Sequence, residues 1–128
     1  MSKQISVLAI EDEEHIQMVL EYNLKMDGFD VHLAGDGRSG LELARQINPD
    51  LILLDWMLPK MTGLEVLSEL KQDEKTQNIP VFMLTAKAMG DDLSQALREG
   101  ADDYITKPFN ATELGQMIKS KLENMVQT

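Results

Sequence analysis

Apolar residues recur along this chain with two alternating periods. Short β-branched and apolar runs fall at Ile5–Ile10, Asp30–Ala34, Leu51–Asp55, Pro80–Thr85 and Tyr104–Thr106, and such runs predict strands. Between them the apolar positions take helical spacing: Ile16, Val19, Leu20 and Leu24; Leu41, Ala44 and Ile47; Leu64, Leu67 and Leu70. The fourth set, Leu93, Ala96 and Leu97, is the weakest. In the last, Leu114, Met117, Ile118, Leu122 and Met125 form one stripe interrupted only at Lys121.

The punctuation agrees with these periods. Asp36-Gly37 predicts the start of the second helix, and Asn110-Ala-Thr-Glu113 has the spacing of a capping box at the start of the last. Gly28 and Gly100 follow helical patterns where a left-handed residue is wanted. Pro49 and Pro80 precede buried strands, where a missing N–H costs least. Strand and helix alternating five times imply crossover connections and a parallel sheet, hence an α/β three-layer sandwich. Leu51-Ile-Leu-Leu54 is apolar without alternation, as a strand covered on both faces should be. The pattern alone leaves the strand order open.

Composition narrows the class. At 128 residues, 43% apolar and 27% charged, the chain fits a single globular domain over residues 1–128. A net charge of −10 disfavours direct contact with nucleic acid or an anionic membrane. The first apolar run is too short for a signal core or a membrane span. With no cysteine, disulfides and thiolate metal sites are excluded. The expectation is a cytoplasmic protein. Nine methionines are many for this length; Met18, Met83, Met117 and Met125 fit core or half-buried positions.

Polar residues gather where the strands end. The first strand runs into Glu11-Asp12-Glu13, the third ends in Asp55, the fourth in Thr85, and the fifth leads to Lys107-Pro108. Ligands of open parallel sheets sit beyond the carboxyl ends of the strands. Singly, each acid reads as a solvated loop residue. If the first and third strands are neighbours, Glu11, Asp12 and Asp55 share a pocket, and three carboxylates that close demand a cation. Mg²⁺, hard and oxygen-seeking, suits them and leaves positions for phosphate oxygens. Lys107 would neutralise a carboxylate and hold a phosphoryl oxygen, and the Thr85 hydroxyl would reach a phosphoryl group over Asp55. This is the equipment of phosphoryl transfer with Asp55 as nucleophile. His15 and His32 read as ordinary positions at a helix start and in an edge-like strand rather than as phosphoacceptors.

These residues resemble the receiver domains of two-component response regulators over nearly the whole chain. The matching segments are Val7–Glu13, Pro49–Pro59, Met61–Gly63, Ile79–Ala86 and Gly100–Phe109. The resemblance implies a five-stranded parallel sheet in the flavodoxin-like order 2-1-3-4-5 with five helices. It assigns Asp55 as phosphoacceptor, and Glu11 and Asp12 as the acids that bind Mg²⁺, joined by the main-chain carbonyl of Met57. Thr85 is the switch hydroxyl, Tyr104 the switch aromatic, and the Lys107-Pro108 bond is expected to be cis. The implied partner is a histidine kinase or histidine phosphotransfer protein, with a downstream protein target read by the helix 4–strand 5–helix 5 face. On this reading the chain is a signalling receiver that promotes its own phosphorylation and dephosphorylation, and no turnover enzyme. Met57 and Lys87 occupy positions that tune hydrolysis in the family and predict a long-lived phosphoryl group.

The motifs are nearest to receivers of the winged-helix transcription-factor class, yet no DNA-binding domain follows before Thr128. Either the regulator stands alone or the sequence is a piece of a longer one. That class carries an arginine in the last helix where this chain has Met117. Asp102 and Asp103 are thereby left without their cationic partner, which predicts a monomer or weak dimer. Two rival chemistries fit less well. A haloacid-dehalogenase type phosphatase needs a second Asp where Met57 stands. A flavodoxin-like FMN site would be repelled by Glu11-Asp12-Glu13.

Overall fold

Five strands and five helices alternate along the chain: β1 (Ser6–Ile10), α1 (Glu14–Met26), β2 (Asp30–Ala34), α2 (Gly37–Ile47), β3 (Leu51–Asp55), α3 (Gly63–Gln72), β4 (Val81–Thr85), α4 (Gly90–Arg98), β5 (Asp103–Thr106) and α5 (Ala111–Val126). The computed structural model describes residues 4–86 and 90–126; Lys87 and Met89 lie outside them. Every strand pairing is parallel, in the order β2-β1-β3-β4-β5.

Alternation along the strands divides the core in two. Val7, Ala9, Leu51, Leu53, Phe82, Leu84 and Ile105 pack with Leu20 and Leu24 of α1 and with Leu114 and Ile118 of α5. Leu8, Ile10, Ile52, Leu54 and Met83 pack on the other face with Leu41 and Ala44 of α2, Val66, Leu67 and Leu70 of α3, and Ala96 of α4. The result is the expected three-layer sandwich. β3 lies between both layers and is buried throughout, which is why its sequence shows no period of two.

The helix ends follow local chemistry. Asp36 caps α2 by accepting from the Ser39 amide at 2.8 Å, and that amide holds its carboxyl below the usual range. Gly28 (φ 91°) and Gly100 (φ 116°) take left-handed conformations after α1 and α4. The reciprocal capping box belongs to α3: the Glu65 amide donates to Thr62 Oγ1 at 3.2 Å, and the Thr62 amide donates to Glu65 Oε1 at 3.0 Å. At α5 the predicted box closes differently. Asn110 Oδ1 accepts from the Thr112 amide, and Glu113 bonds the Asn110 side-chain amide rather than its backbone.

Two apolar positions depart from expectation. Met18 is 63% exposed, because it lies two residues, about 200° of helix, from the buried line through Leu20 and Leu24. The stripe of α5 is really two lines. Leu114 and Ile118 are buried, with Leu122 and Met125 packed against their core, whereas Met117 and Lys121 line a groove beside β5.

Candidate phosphoryl-accepting site

The alternation that builds the α1/α5 core continues past the strand ends into polar residues. Val7 and Ala9 are followed two residues on by Glu11, Leu51 and Leu53 by Asp55, and Ile105 by Lys107. Because β1 and β3 are neighbours, Glu11 and Asp55 come together, and Asp12 joins them. One carboxylate oxygen of each lies within 4.8 Å of the others. Glu11 and Asp55 are buried, at 1% and 4% exposure, and Asp12 is exposed.

Both buried carboxylates are fixed by the same two-sided arrangement. Glu11 Oε2 accepts from the Glu13 amide at 2.9 Å, while Oε1 faces Lys107 Nζ at 3.0 Å. Asp55 Oδ1 accepts from the Met57 amide at 3.1 Å, while Oδ2 faces Lys107 Nζ at 3.2 Å. The turn amide orients each group and the shared ammonium neutralises part of the charge. Burial pushes the Asp55 carboxyl up to about 6, with the Glu11 charge adding to the rise and Lys107 opposing it. Burial alone would pull Lys107 down. Its hydrogen bond to Glu11 and the charges of Asp55 and Glu11 outweigh that and hold the ammonium above its ordinary value.

One lysine therefore pairs with the two buried acids, and the Asp12 carboxylate lies beside them with no share of that ammonium among the described pairs. The deficit is what a divalent cation would relieve, and an all-oxygen donor set suits Mg²⁺. The residues fit such an ion.

Lys107 is delivered by the segment after β5. Its amide donates to the Thr85 carbonyl at 2.6 Å, and the Lys107-Pro108 bond is cis, as expected. Register sets Met83 beside Tyr104 and Thr85 beside Thr106, so Thr85 and Tyr104 are diagonal neighbours on the sheet face that carries α4. Thr85 is buried at the strand end and Tyr104 half-buried against the α2–α4 core.

Sequence reasoning missed three contributors. The amides of Glu13 and Met57 do the orienting, and backbone donors leave no mark in residue type. Gly63 lies against the backbone of Asp55 and Trp56: a Cβ there would come within 2.5 Å of the Asp55 carbonyl oxygen and 2.9 Å of Trp56 Cα. Within the chain, Asp102 and Asp103 meet cations other than the last-helix arginine that Met117 replaces. Lys121 Nζ is 3.0 Å from Asp103 Oδ2, and Lys71 Nζ is 3.4 Å from Asp102 Oδ2, which also accepts from the Val81 amide at 2.9 Å. Lys121 supplies charge from one helical turn beyond Met117, and Lys71 from α3.

Comparison with known proteins agrees with this geometry. Residues 7–119 match the family model of the response regulator receiver domain. The DNA-binding dual master transcriptional regulator RpaA of Synechocystis is 46% identical over 116 residues, which are 91% of this chain and 48% of that protein. The chain spans about half the length of the curated relatives it matches. Among solved structures, the chemotaxis protein CheY4 of Vibrio cholerae superposes with a TM-score of 0.87 at 28% identity, covering 92% of this chain and 98% of that one. The receiver domain of the sensor histidine kinase PA1611 of Pseudomonas aeruginosa, with a magnesium ion coordinated in its active site cleft, gives a TM-score of 0.84 at 30% identity over 94% of this chain and 99% of that one. Among the described residues no helix is long and apolar enough to cross a membrane.

Proposed function

This chain belongs to the response regulator receiver family of two-component signalling, and on that premise we propose that it is a Mg²⁺-dependent phosphoacceptor switch. A histidine kinase or histidine phosphotransfer protein presents a phosphohistidine, and an Asp55 carboxylate oxygen attacks its phosphorus. The new P–O bond forms as the P–N bond breaks, and the imidazole leaves on the partner. The observation that carries this reading is the buried Asp55 carboxylate, held by the Met57 amide on one oxygen and by Lys107 on the other.

Glu11, Asp12, Asp55 and the main-chain carbonyl of Met57 would hold the ion. Bound there, Mg²⁺ supplies neutralisation of the phosphoryl charge. Lys107, already between two acids, takes a phosphoryl oxygen in place of part of that pairing. The Thr85 hydroxyl then turns to the phosphoryl group, Tyr104 moves inward, and the α4–β5–α5 face changes shape for a downstream protein. The groups all act once per signal, so this is a switch that promotes its own phosphorylation and dephosphorylation rather than a turnover enzyme. A charge of −10 favours a protein target over nucleic acid, in the cytoplasm. Asp102 and Asp103, both paired within the chain, favour a monomer or weak dimer.

Trp56, next to Asp55, tests the reading. Mg²⁺ should change its fluorescence saturably, and beryllofluoride added with Mg²⁺ should change it again. Asp55→Asn should abolish the second response. A parent protein without a saturable Mg²⁺ response contradicts the proposal. Met57, two residues after Asp55, is 73% exposed, and the phosphoryl group is expected to last minutes or longer in Mg²⁺ buffer. Loss within seconds, followed by phosphate release, would refute that expectation.

A further inference from the structure

We propose that Lys121 is a latch that holds Tyr104 in its resting placement and thereby sets how readily Asp55 is phosphorylated. The inference rests on the reading of Tyr104 as the residue that moves inward. Lys121 is rooted on α5, on the sheet face that carries α1. Its ammonium lies 3.0 Å from Asp103 Oδ2 and 6.0 Å from the centroid of the Tyr104 ring. Asp103 and Tyr104 are consecutive residues of β5 and point to opposite faces of the sheet. One ammonium meets both only because β5 is an edge strand and the side chain reaches round that edge. Asp103 closes the loop, since its Oδ1 accepts from the Tyr104 amide at 2.8 Å.

The ring therefore has the α2–α4 core on one side and a tethered cation on the other. The tether is partly sheltered, with the Lys121 side chain 27% exposed and that of Asp103 32% exposed, so solvent screens it less than an open surface pair. Tyr104, Met117 and Lys121 line one groove of about 380 Å³, on the side of the ring that an inward swing would leave. An inward swing takes the ring away from the ammonium. Whatever favours the resting placement is given up on phosphorylation, so the cation lowers affinity for a phosphoryl group by the factor with which it favours that placement.

The test compares Mg²⁺–beryllofluoride affinity, read by Trp56 fluorescence, among the parent, Lys121→Met, Lys121→Arg and Asp103→Asn. Lys121→Met should bind about two- to fivefold tighter, the size expected for one partly shielded cation–ring contact. Lys121→Arg should stay near the parent, and Asp103→Asn, which frees the cation, should shift in the same direction as Lys121→Met by less. With 3-fluorotyrosine incorporated, the Tyr104 resonance of unliganded Lys121→Met should move toward its beryllofluoride-bound position. If Lys121→Met changes the melting temperature but neither affinity nor that resonance, Lys121 is a packing residue and the latch is wrong. Should Lys121→Met not fold, a parent-like Asp103→Asn would overturn it equally. A parent that ignores beryllofluoride sinks the proposed function and the latch together, whereas a responsive parent with an indifferent Lys121→Met sinks only the latch.

Discussion

Asp55 is held in a state that the folded chain tolerates at a cost. In the unfolded chain a carboxyl ionises near pH 4. In the folded one burial and the Glu11 charge push it up to about 6. Between those values the native state keeps a proton that the unfolded state has lost, so stability falls as pH rises through that window and stays lower above it. Asn carries no such charge. Asp55→Asn is expected to stabilise the metal-free protein by about 1–3 kcal/mol at pH 7.5, with the gain vanishing near pH 4. Urea unfolding in chelator at the two pH values measures it, and equal stabilities at pH 7.5 would contradict the account. Saturating Mg²⁺ should narrow the gap, since it binds the native parent and relieves the same charge. Glu11, Asp12, Asp55 and Lys107 were legible because polar residues at the ends of apolar strands stand out. The Asp103–Lys121 pair was not. Its members are 18 residues apart and meet round a sheet edge, so the lysine reads only as a break in a stripe.

At the scale of elements, α3 is the part most tightly bound to the site. Its N-terminus carries the Thr62–Glu65 capping box, and its first residue, Gly63, donates its amide to the Trp56 carbonyl at 3.1 Å. Gly63→Ala would set a Cβ against Asp55 and Trp56 backbone atoms, which cannot swing aside as a side-chain tip does. It is expected to cost about 1–3 kcal/mol, as overpacking does, and to weaken Mg²⁺ binding on the Trp56 signal. A variant matching the parent in both would show that the close approach constrains nothing. Thr62→Ala should cost about 1 kcal/mol and leave Mg²⁺ affinity near the parent's, separating the cap from the approach. Strand positions were legible to within a residue or two, since β3 and β4 are unbroken apolar runs. The α3 box has a readable signal, Thr62 and Glu65 at Thr-x-x-Glu spacing ahead of an apolar run. At α5 the Asn side chain caps one residue earlier than a box would.

For the whole molecule, the layer architecture followed from the repeat of strand and helix, but strand order did not. Order depends on which distant strands pair, and local period is blind to that; here it rested on the family resemblance, and β2-β1-β3-β4-β5 agrees. The internal pairing of Asp102 and Asp103 bears on assembly. The protein is expected to sediment as a monomer at micromolar concentration with and without beryllofluoride, and a tight activated dimer would show that those acids change partners. The central claim is that Asp55 accepts a phosphoryl group with Mg²⁺. Incubation with acetyl phosphate followed by intact-mass measurement tests it most directly. The account predicts one added phosphoryl group in the parent with Mg²⁺, and none in chelator or in Asp55→Asn. A folded parent that gains no mass, or an Asp55→Asn variant that gains as much, would contradict it.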